Sequence, residues 1–131
     1  MTAALTAAVE QAVEQIEAGL PKLRWQVDPD GQGGAVMLGE GLALGEPWAQ
    51  TDTWIGFRIA FNYPYADIYP QFVRGDLARS DGGPIGEALS VTTFEGRPAV
   101  QISRSSPHRV PGVETALIKL LKVIEWLRDR A

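Results

Sequence analysis

The residues best suited to chemistry lie in the segment ISRSSPHRVPG of the C-terminal third. His108 is the only histidine of the chain, and it follows Ser103, Ser105 and Ser106 closely. A serine and a histidine act together as nucleophile and general base when they lie within hydrogen-bond distance and a third group orients the histidine. Adjacency in a loop interrupted by proline ensures neither condition, so the pattern favours a polar loop before a helix over a catalytic pair.

Metal, thiol and nucleotide chemistry receive little support from the sequence. The chain has no cysteine, which removes disulfides, thiolate ligands and thiol nucleophiles together. Asp76, Asp81 and Glu87 lack the spacing typical of metal ligands. Glycine-rich pieces such as GQGG lack the lysine and hydroxyl of a phosphate-binding loop, and they separate strand-like segments. We therefore expect neither a metal nor an organic cofactor.

Composition and charge favour a protein or a small molecule as the partner. A net charge of -4 and a pI near 4.9 leave no clustered positive charge for nucleic acid. No apolar run approaches the roughly 20 residues that cross a bilayer, and the N-terminus lacks the pattern of a secretory signal. With 131 residues, of which 45% are hydrophobic, we expect one cytoplasmic domain spanning residues 1–131, with no membrane or nucleic-acid partner.

The segment FRIAFNYPYADIYPQF combines strand-like alternation with tyrosines and prolines. Pro64 and Pro70 fix their own φ angles and favour extended geometry at Tyr63 and Tyr69, so the loop should be stiff before any partner binds. Stiffness suits a turn that ends a strand, and it equally suits a surface that presents aromatic rings. Of the tryptophans, Trp48 lies in a polar loop and is the one we most expect at an interface.

Hydrophobic periodicity predicts a helix at each end of the chain and strands between them. Apolar residues at helical spacing predict a first helix over residues 2–20, and Pro111 suits the first turn of the last helix. Glycines 39 and 41 indicate a bulge in the second strand. Alternation and turn residues predict strands at residues 23–27, 35–45, 54–61, 68–73, 89–94 and 98–103. This order favours an antiparallel sheet with helices on one face, an α+β arrangement.

The segment YPYADIYPQF and the elements around it resemble the ubiquitin-conjugating enzyme (UBC-like) fold. In that family a third strand leads into a Tyr-Pro pair, to which Tyr63 and Pro64 are similar, and Pro70 is similar to a proline further on. The segment ISRSSPHRVPG and the helix after it are similar to bacterial ubiquitin-conjugating-like families. The resemblance implies a UBC-like α+β fold with an N-terminal helix, a four-stranded antiparallel meander and a C-terminal helix packed on one face of the sheet.

The residues at the chemical centre depart from the family pattern. Active members carry the ubiquitin-like protein as a thioester on a cysteine, and aligning GRPAVQIS with that region places Ala99, or its neighbour Val100, at the nucleophile position. Neither side chain can form a thioester. The His-Pro-Asn tripeptide of active members, whose asparagine stabilises the oxyanion, has no counterpart in RSDGGPIGEALSVTT. The resemblance therefore implies a catalytically inactive variant.

The first functional hypothesis is accordingly a non-catalytic binding or scaffold subunit of a bacterial ubiquitin-like conjugation system. Such a subunit would hold a ubiquitin-activating-like enzyme, an active conjugating enzyme or a ubiquitin-like protein. The contact residues expected from this hypothesis are Trp48, Tyr63, Tyr65, Ile68 and Tyr69.

Two alternatives stay open. The chain could be an active conjugating enzyme that forms an oxyester on Ser103, Ser105 or Ser106 with help from His108, although an alkoxide leaves less readily than a thiolate. It could instead be a small acidic secretion chaperone, because those proteins also combine helix, strands and helix at this size. The segment YPYADIYP is not a feature that the chaperone fold requires.

Overall fold

The computed structural model describes residues 4–104 and 115–130. Within these residues, six strands form one sheet and two helices lie at the two ends of the sequence. The helices are Ala7–Gly19 (α1) and Ala116–Arg128 (α2), and the strands are Arg24–Pro29 (β1), Ala35–Ala43 (β2), Asp52–Ile59 (β3), Gln71–Arg74 (β4), Leu89–Phe94 (β5) and Arg97–Ile102 (β6).

All neighbouring strands are antiparallel, in the order β1-β2-β3-β4-β6-β5. The expected four-stranded meander is wrong in its strand number, because the β5–β6 hairpin continues the same sheet beyond β4. Val73 of β4 lies opposite Val100 of β6, which leaves β5 as an edge strand. The hairpin turns at Glu95 and Gly96, whose φ angles of 48° and 79° suit a two-residue turn. The α+β class is confirmed.

Both helices pack on the same face of the sheet, as the sequence predicts. Ile16 of α1, Phe57 of β3 and Leu120 of α2 belong to one buried cluster, and each is fully buried. The helices also approach each other closely, because a Cβ atom at Gly19 would lie 2.6 Å from the Leu117 side chain. Neither α1 nor α2, the helices of the described chain, is long and apolar enough to cross a bilayer.

The opposite face of the sheet carries an aromatic cluster that neither α1 nor α2 covers. The rings of Phe72 and Phe94 stack with centroids 4.6 Å apart, and Trp54 stacks on Phe94 at 6.1 Å. The Arg58 guanidinium lies 4.7 Å from the centre of the Phe94 ring. Gly56 makes this packing possible, since a Cβ atom there would lie 2.5 Å from the Phe94 ring.

Local signals explain where several elements begin and bend. Thr6 precedes α1, and its hydroxyl accepts a hydrogen bond from the Val9 N–H, as an N-cap residue does. The predicted bulge in β2 is confirmed, because the pairing register shifts around Gly41, whose φ is 94°. Pro111, expected in the first turn of the last helix, lies outside the described residues, and the described helix has Thr115 as its N-cap.

Candidate protein-binding surface

Residues 60–70 connect β3 to β4 and are called the proline loop below. Within it, the Tyr63–Pro64 and Tyr69–Pro70 peptide bonds are both cis. The loop reverses the chain, because β3 and β4 on its two sides pair antiparallel. Its side chains divide into a buried set and an exposed set.

Tyr63 belongs to the buried set and joins the loop to the start of α2. Its side chain is 8% exposed, and its hydroxyl oxygen accepts a hydrogen bond of 3.0 Å from the Ala116 N–H. The first N–H groups of a helix have no partner within the helix, so they need partners from outside. The Thr115 hydroxyl serves the Ile118 N–H in the same way, and Tyr63 therefore completes the cap of α2.

A buried ion pair makes a second connection between the proline loop and α2. The Lys119 ammonium lies 3.0 Å from Oδ2 of Asp67, and the two side chains are 3% and 19% exposed. Ile68 is also buried, and its carbonyl oxygen accepts a hydrogen bond from the Gln71 side-chain amide. The inner side of the loop is thus fixed to the helix and to β4.

The outer side of the proline loop presents aromatic rings to solvent. Tyr65 is 78% exposed, Tyr69 is 46% exposed and Phe61 is 57% exposed. Of the four loop and strand residues expected to contact a partner, Tyr65 and Tyr69 have the required exposure, whereas Tyr63 and Ile68 are buried. Phe61 is not among the expected contact residues, because the sequence predicts that the strand continues to residue 61, whereas β3 ends at Ile59.

Trp48 is a core residue, so the expectation that it contacts a partner fails. It is 3% exposed and belongs to a buried cluster that includes Val73 and Leu89. Its indole N–H donates a hydrogen bond of 2.8 Å to the Leu127 carbonyl oxygen near the end of α2. The polar residues around Trp48 suggested an exposed loop, whereas its partner lies 79 positions away in the sequence.

Ala99, which the resemblance would align with the cysteine of active conjugating enzymes, lies inside the sheet. It is fully buried in β6, opposite Thr92 of one neighbouring strand and Arg74 of the other. It packs in the aromatic cluster with Phe72 and Phe94. Val100, the alternative position, is also fully buried. In this fold both positions serve packing, and no acyl group carried there would be accessible to a protein substrate.

The serine and histidine candidates can be located only in part. Ser103 follows β6, is half-buried, and its hydroxyl accepts a hydrogen bond of 3.1 Å from the Gln101 side chain. Ser105, Ser106 and His108 lie outside the described residues. Within residues 4–104 and 115–130, no group of three or more histidine, cysteine, aspartate or glutamate residues is placed to hold a metal ion.

A group of charged side chains lies at the end of β4. Arg74 donates to both carboxylate oxygens of Asp76, with the NH2–Oδ2 distance at 2.8 Å, and lies 3.6 Å from Asp52. The hydrogen bond from Arg74 lowers the pKa of Asp76 below its ordinary value of 3.8. A carboxylate held ionised in this way is a poor proton donor near neutral pH. The arrangement fits a brace between β3 and β4 better than an acid–base pair.

An apolar groove of about 700 Å³ lies beside the bulge of β2. It lies between the end of α1, the turn into β1 and the second half of α2. Because these segments are distant in the sequence, no local sequence pattern predicts the groove. Leu121, on its wall, is 44% exposed. The groove is lined by Leu20, Leu23, Leu42, Leu121, Ile124 and Arg128, among others.

The outer side of the proline loop and the groove beside α2 are both exposed apolar features of the described residues. The loop has the better-defined geometry, because its inner side is anchored at Tyr63 and Asp67. Comparison of the chain with protein-family models, with curated proteins and with solved structures found no match.

Proposed function

We propose that this protein is a non-catalytic protein-binding domain, as expected of an inactive UBC-like variant in a bacterial ubiquitin-like conjugation system. The observation that supports the proposal most is the division of the proline loop. Its inner side is anchored to α2 through Tyr63 and Asp67, while Phe61, Tyr65 and Tyr69 are exposed on its outer side.

A loop of this kind suits binding for energetic reasons. Tyrosine and phenylalanine bring a large contact area with few rotatable bonds, and they are frequent at the centres of protein interfaces. Ordering a flexible loop on binding costs free energy, so a loop that is ordered beforehand loses less of the contact energy. The anchors at Ala116 and Lys119 supply that order before a partner arrives.

The partner class follows from the family resemblance and from the chemistry of the loop. A ubiquitin-activating-like enzyme, an active conjugating enzyme and a ubiquitin-like protein are the three candidates that an inactive UBC-like subunit would hold. An exposed apolar patch on any of them would complement the rings of Phe61, Tyr65 and Tyr69.

Co-expression tests the proposal directly. The tagged protein would be produced together with the activating enzyme and the ubiquitin-like protein encoded nearest to its own gene, and purified through its tag and by size exclusion. We expect at least one of them to elute with it as a complex. If every combination elutes as separate proteins, the proposal is wrong.

The same complex shows whether the proline loop is the contact. Replacing Tyr65 and Tyr69 by alanine should release the partner, because each substitution removes an exposed ring without touching the buried anchors. Gln26→Lys, on the exposed part of β1, is a matched surface control and should leave the complex intact. Retention of the partner by the double variant would place the contact elsewhere.

The alternatives give different outcomes in solution. A serine enzyme would form a hydroxylamine-sensitive adduct with an activated ubiquitin-like protein, at Ser103, Ser105 or Ser106; we expect no adduct. A secretion chaperone would form a tight symmetric homodimer, still intact at concentrations of about 1 µM. Either result would replace the binding-subunit proposal.

A further inference from the structure

Among residues 4–104 and 115–130, the sheet ends at β5. β5 is the last strand in the order, and β6 is its one pairing partner within these residues. Val91, in the middle of the strand, is 76% exposed, although valine is an apolar residue. An edge strand carries a row of backbone N–H and C=O groups that another strand can pair with.

The hydrogen bonds of the hairpin show which backbone groups face outward. The Ser103 N–H donates to the Ala88 carbonyl oxygen at 2.8 Å, directly before the paired residues Leu89 and Ile102. In an antiparallel pair, residues that exchange hydrogen bonds alternate with residues that do not. The N–H and C=O groups that point away from β6 are therefore those of Leu89, Val91 and Thr93.

Proline at position 98 agrees with this assignment. Pro98 lies opposite Thr93, and it has no N–H to donate. A position opposite an outward-facing residue is one at which the hairpin itself makes no hydrogen bond, so proline costs nothing there. Three outward-facing backbone pairs thus line the free side of β5.

The strand itself carries neither of two common protections of an edge strand, a charged side chain or a proline. Residues 89–94 read LSVTTF, without a charged residue or a proline. The opposite edge of the sheet, β1, carries Arg24 and Asp28 and ends at Pro29. Charges and prolines commonly prevent edge-to-edge pairing, so β1 carries this protection and β5 does not.

We infer that β5 is a docking edge for a second copy of this chain, which adds its own β5 in antiparallel orientation. A two-fold axis through the middle of the strand sets the outward groups of Leu89, Val91 and Thr93 against the same groups of the other copy. The uncharged strand meets no like charge within the pairing, and Val91 of each copy loses contact with water. The inference is independent of the function proposed for the proline loop.

The dimer should be weak and sensitive to conditions. Two six-residue strands bury much less than the roughly 1,000 Å² of a stable interface, so the dimer should be weak, and we expect a dissociation constant on the order of tens of micromolar. Each copy carries a net charge of -4, so the copies repel each other at low ionic strength. Added salt should therefore strengthen the dimer.

Sedimentation velocity from about 1 to 500 µM, a range that brackets this dissociation constant, measures the association. We expect the wild-type sedimentation coefficient to rise from the monomer value toward the dimer value. Val91→Lys places two positive charges close to the axis and should keep the protein monomeric throughout. Thr93→Pro should do the same, because it removes one outward N–H and leaves the hairpin bonds in place. Gln26→Lys, on the β1 edge, is the control and should associate like the wild type.

Amide hydrogen exchange identifies the surface residue by residue. At high concentration, exchange of the Val91 and Thr93 N–H groups should slow, while Ser90 and Thr92, already bonded to β6, should exchange slowly at every concentration. A protein that stays monomeric at about 500 µM overturns the inference, because tens of micromolar is the affinity expected for such an edge. A dimer that persists in both β5 variants overturns it too, since another surface must then form it.

Discussion

Tyr63 is buried, and its hydroxyl oxygen accepts a hydrogen bond from the first N–H of α2. Tyr63→Phe keeps the ring and removes this acceptor, so the Ala116 N–H is left buried without it. The expected loss in the free energy of unfolding is about 1 to 3 kcal/mol, measured by urea denaturation. Tyr69→Phe is the matched control, since Tyr69 is half exposed and should lose nothing measurable. Equal stability of the two variants would contradict the capping role of Tyr63.

Lys119 is the other anchor of the proline loop. Lys119→Met keeps an unbranched side chain of similar length and removes the ammonium that lies 3.0 Å from Oδ2 of Asp67. Removing one member of a buried pair costs about 3 to 5 kcal/mol, which thermal and urea denaturation would both detect. Arg24→Met breaks the exposed pair with Glu40 and should cost less than about 1 kcal/mol. A loss no larger in Lys119→Met than in Arg24→Met would show that the pair contributes little.

The pH dependence of the free energy of unfolding tests the role of Asp76. Its pKa in the folded protein is lowered, chiefly by the hydrogen bond from Arg74, below the ordinary value of 3.8. The stabilisation of the folded protein by ionised Asp76 is therefore present above pH 3.8, and it is lost as the pH falls through the lower pKa of the folded state. Because Asp76 is exposed, Asp76→Asn should cost at most about 1 kcal/mol at neutral pH. The cost should shrink toward zero in urea denaturations carried to about pH 2, and a cost that stays constant with pH would contradict the assignment.

Residue types predicted a proline-containing loop that presents aromatic rings, but not the direction of each side chain. Tyr65 and Tyr69 lie where a contact surface would need them, whereas Tyr63, Ile68 and Trp48 are buried. The difference arises from partners that are distant in sequence, such as Ala116 for Tyr63 and Leu127 for Trp48. No local pattern encodes such contacts, so polarity around an aromatic residue is weak evidence that the residue is exposed.

The elements of the fold follow the sequence more faithfully than its single side chains do. Periodicity predicts both described helices, and turn residues predict the β5–β6 hairpin and the bulge at Gly41. These features depend on neighbouring residues, which the sequence shows directly. The place of the hairpin in the sheet depends on its pairing with β4, a contact between distant segments. This is why the resemblance to a four-stranded meander gave the wrong strand number.

A substitution at Gly56 tests how tightly the aromatic cluster on the face of the sheet opposite α1 and α2 is packed. In Gly56→Ala, the new Cβ would lie 2.5 Å from the Phe94 ring, which is stacked between Phe72 and Trp54 and has little room to move. Overpacking of this kind should lower the free energy of unfolding by about 1 to 3 kcal/mol. The additional change Phe94→Leu should recover part of the loss, which a double-mutant cycle measures.

Gly45→Ala supplies the control for this packing test. No atom beyond its chain neighbours lies within 4 Å of a Cβ at Gly45, so its stability should change little. If Gly56→Ala is as stable as Gly45→Ala, the aromatic cluster is looser than its ring distances indicate.

At the scale of the whole molecule, the described residues form surfaces of different character. The helices cover one face of the sheet, an aromatic cluster with Arg58 lies on the other, and the proline loop is held at the start of α2. Ala99, which the resemblance would align with a catalytic cysteine, is buried in the interior of the sheet. These features support a protein that acts through its outer contacts.

The most direct test is the dissociation constant of the complex obtained by co-expression, measured for the wild type and for the Tyr65→Ala, Tyr69→Ala double variant. Loss of two central aromatic contacts should weaken binding by about 100-fold or more, while Val91→Lys on β5 should bind like the wild type. An affinity that is the same for the double variant and the wild type would contradict the account, as would the absence of any complex.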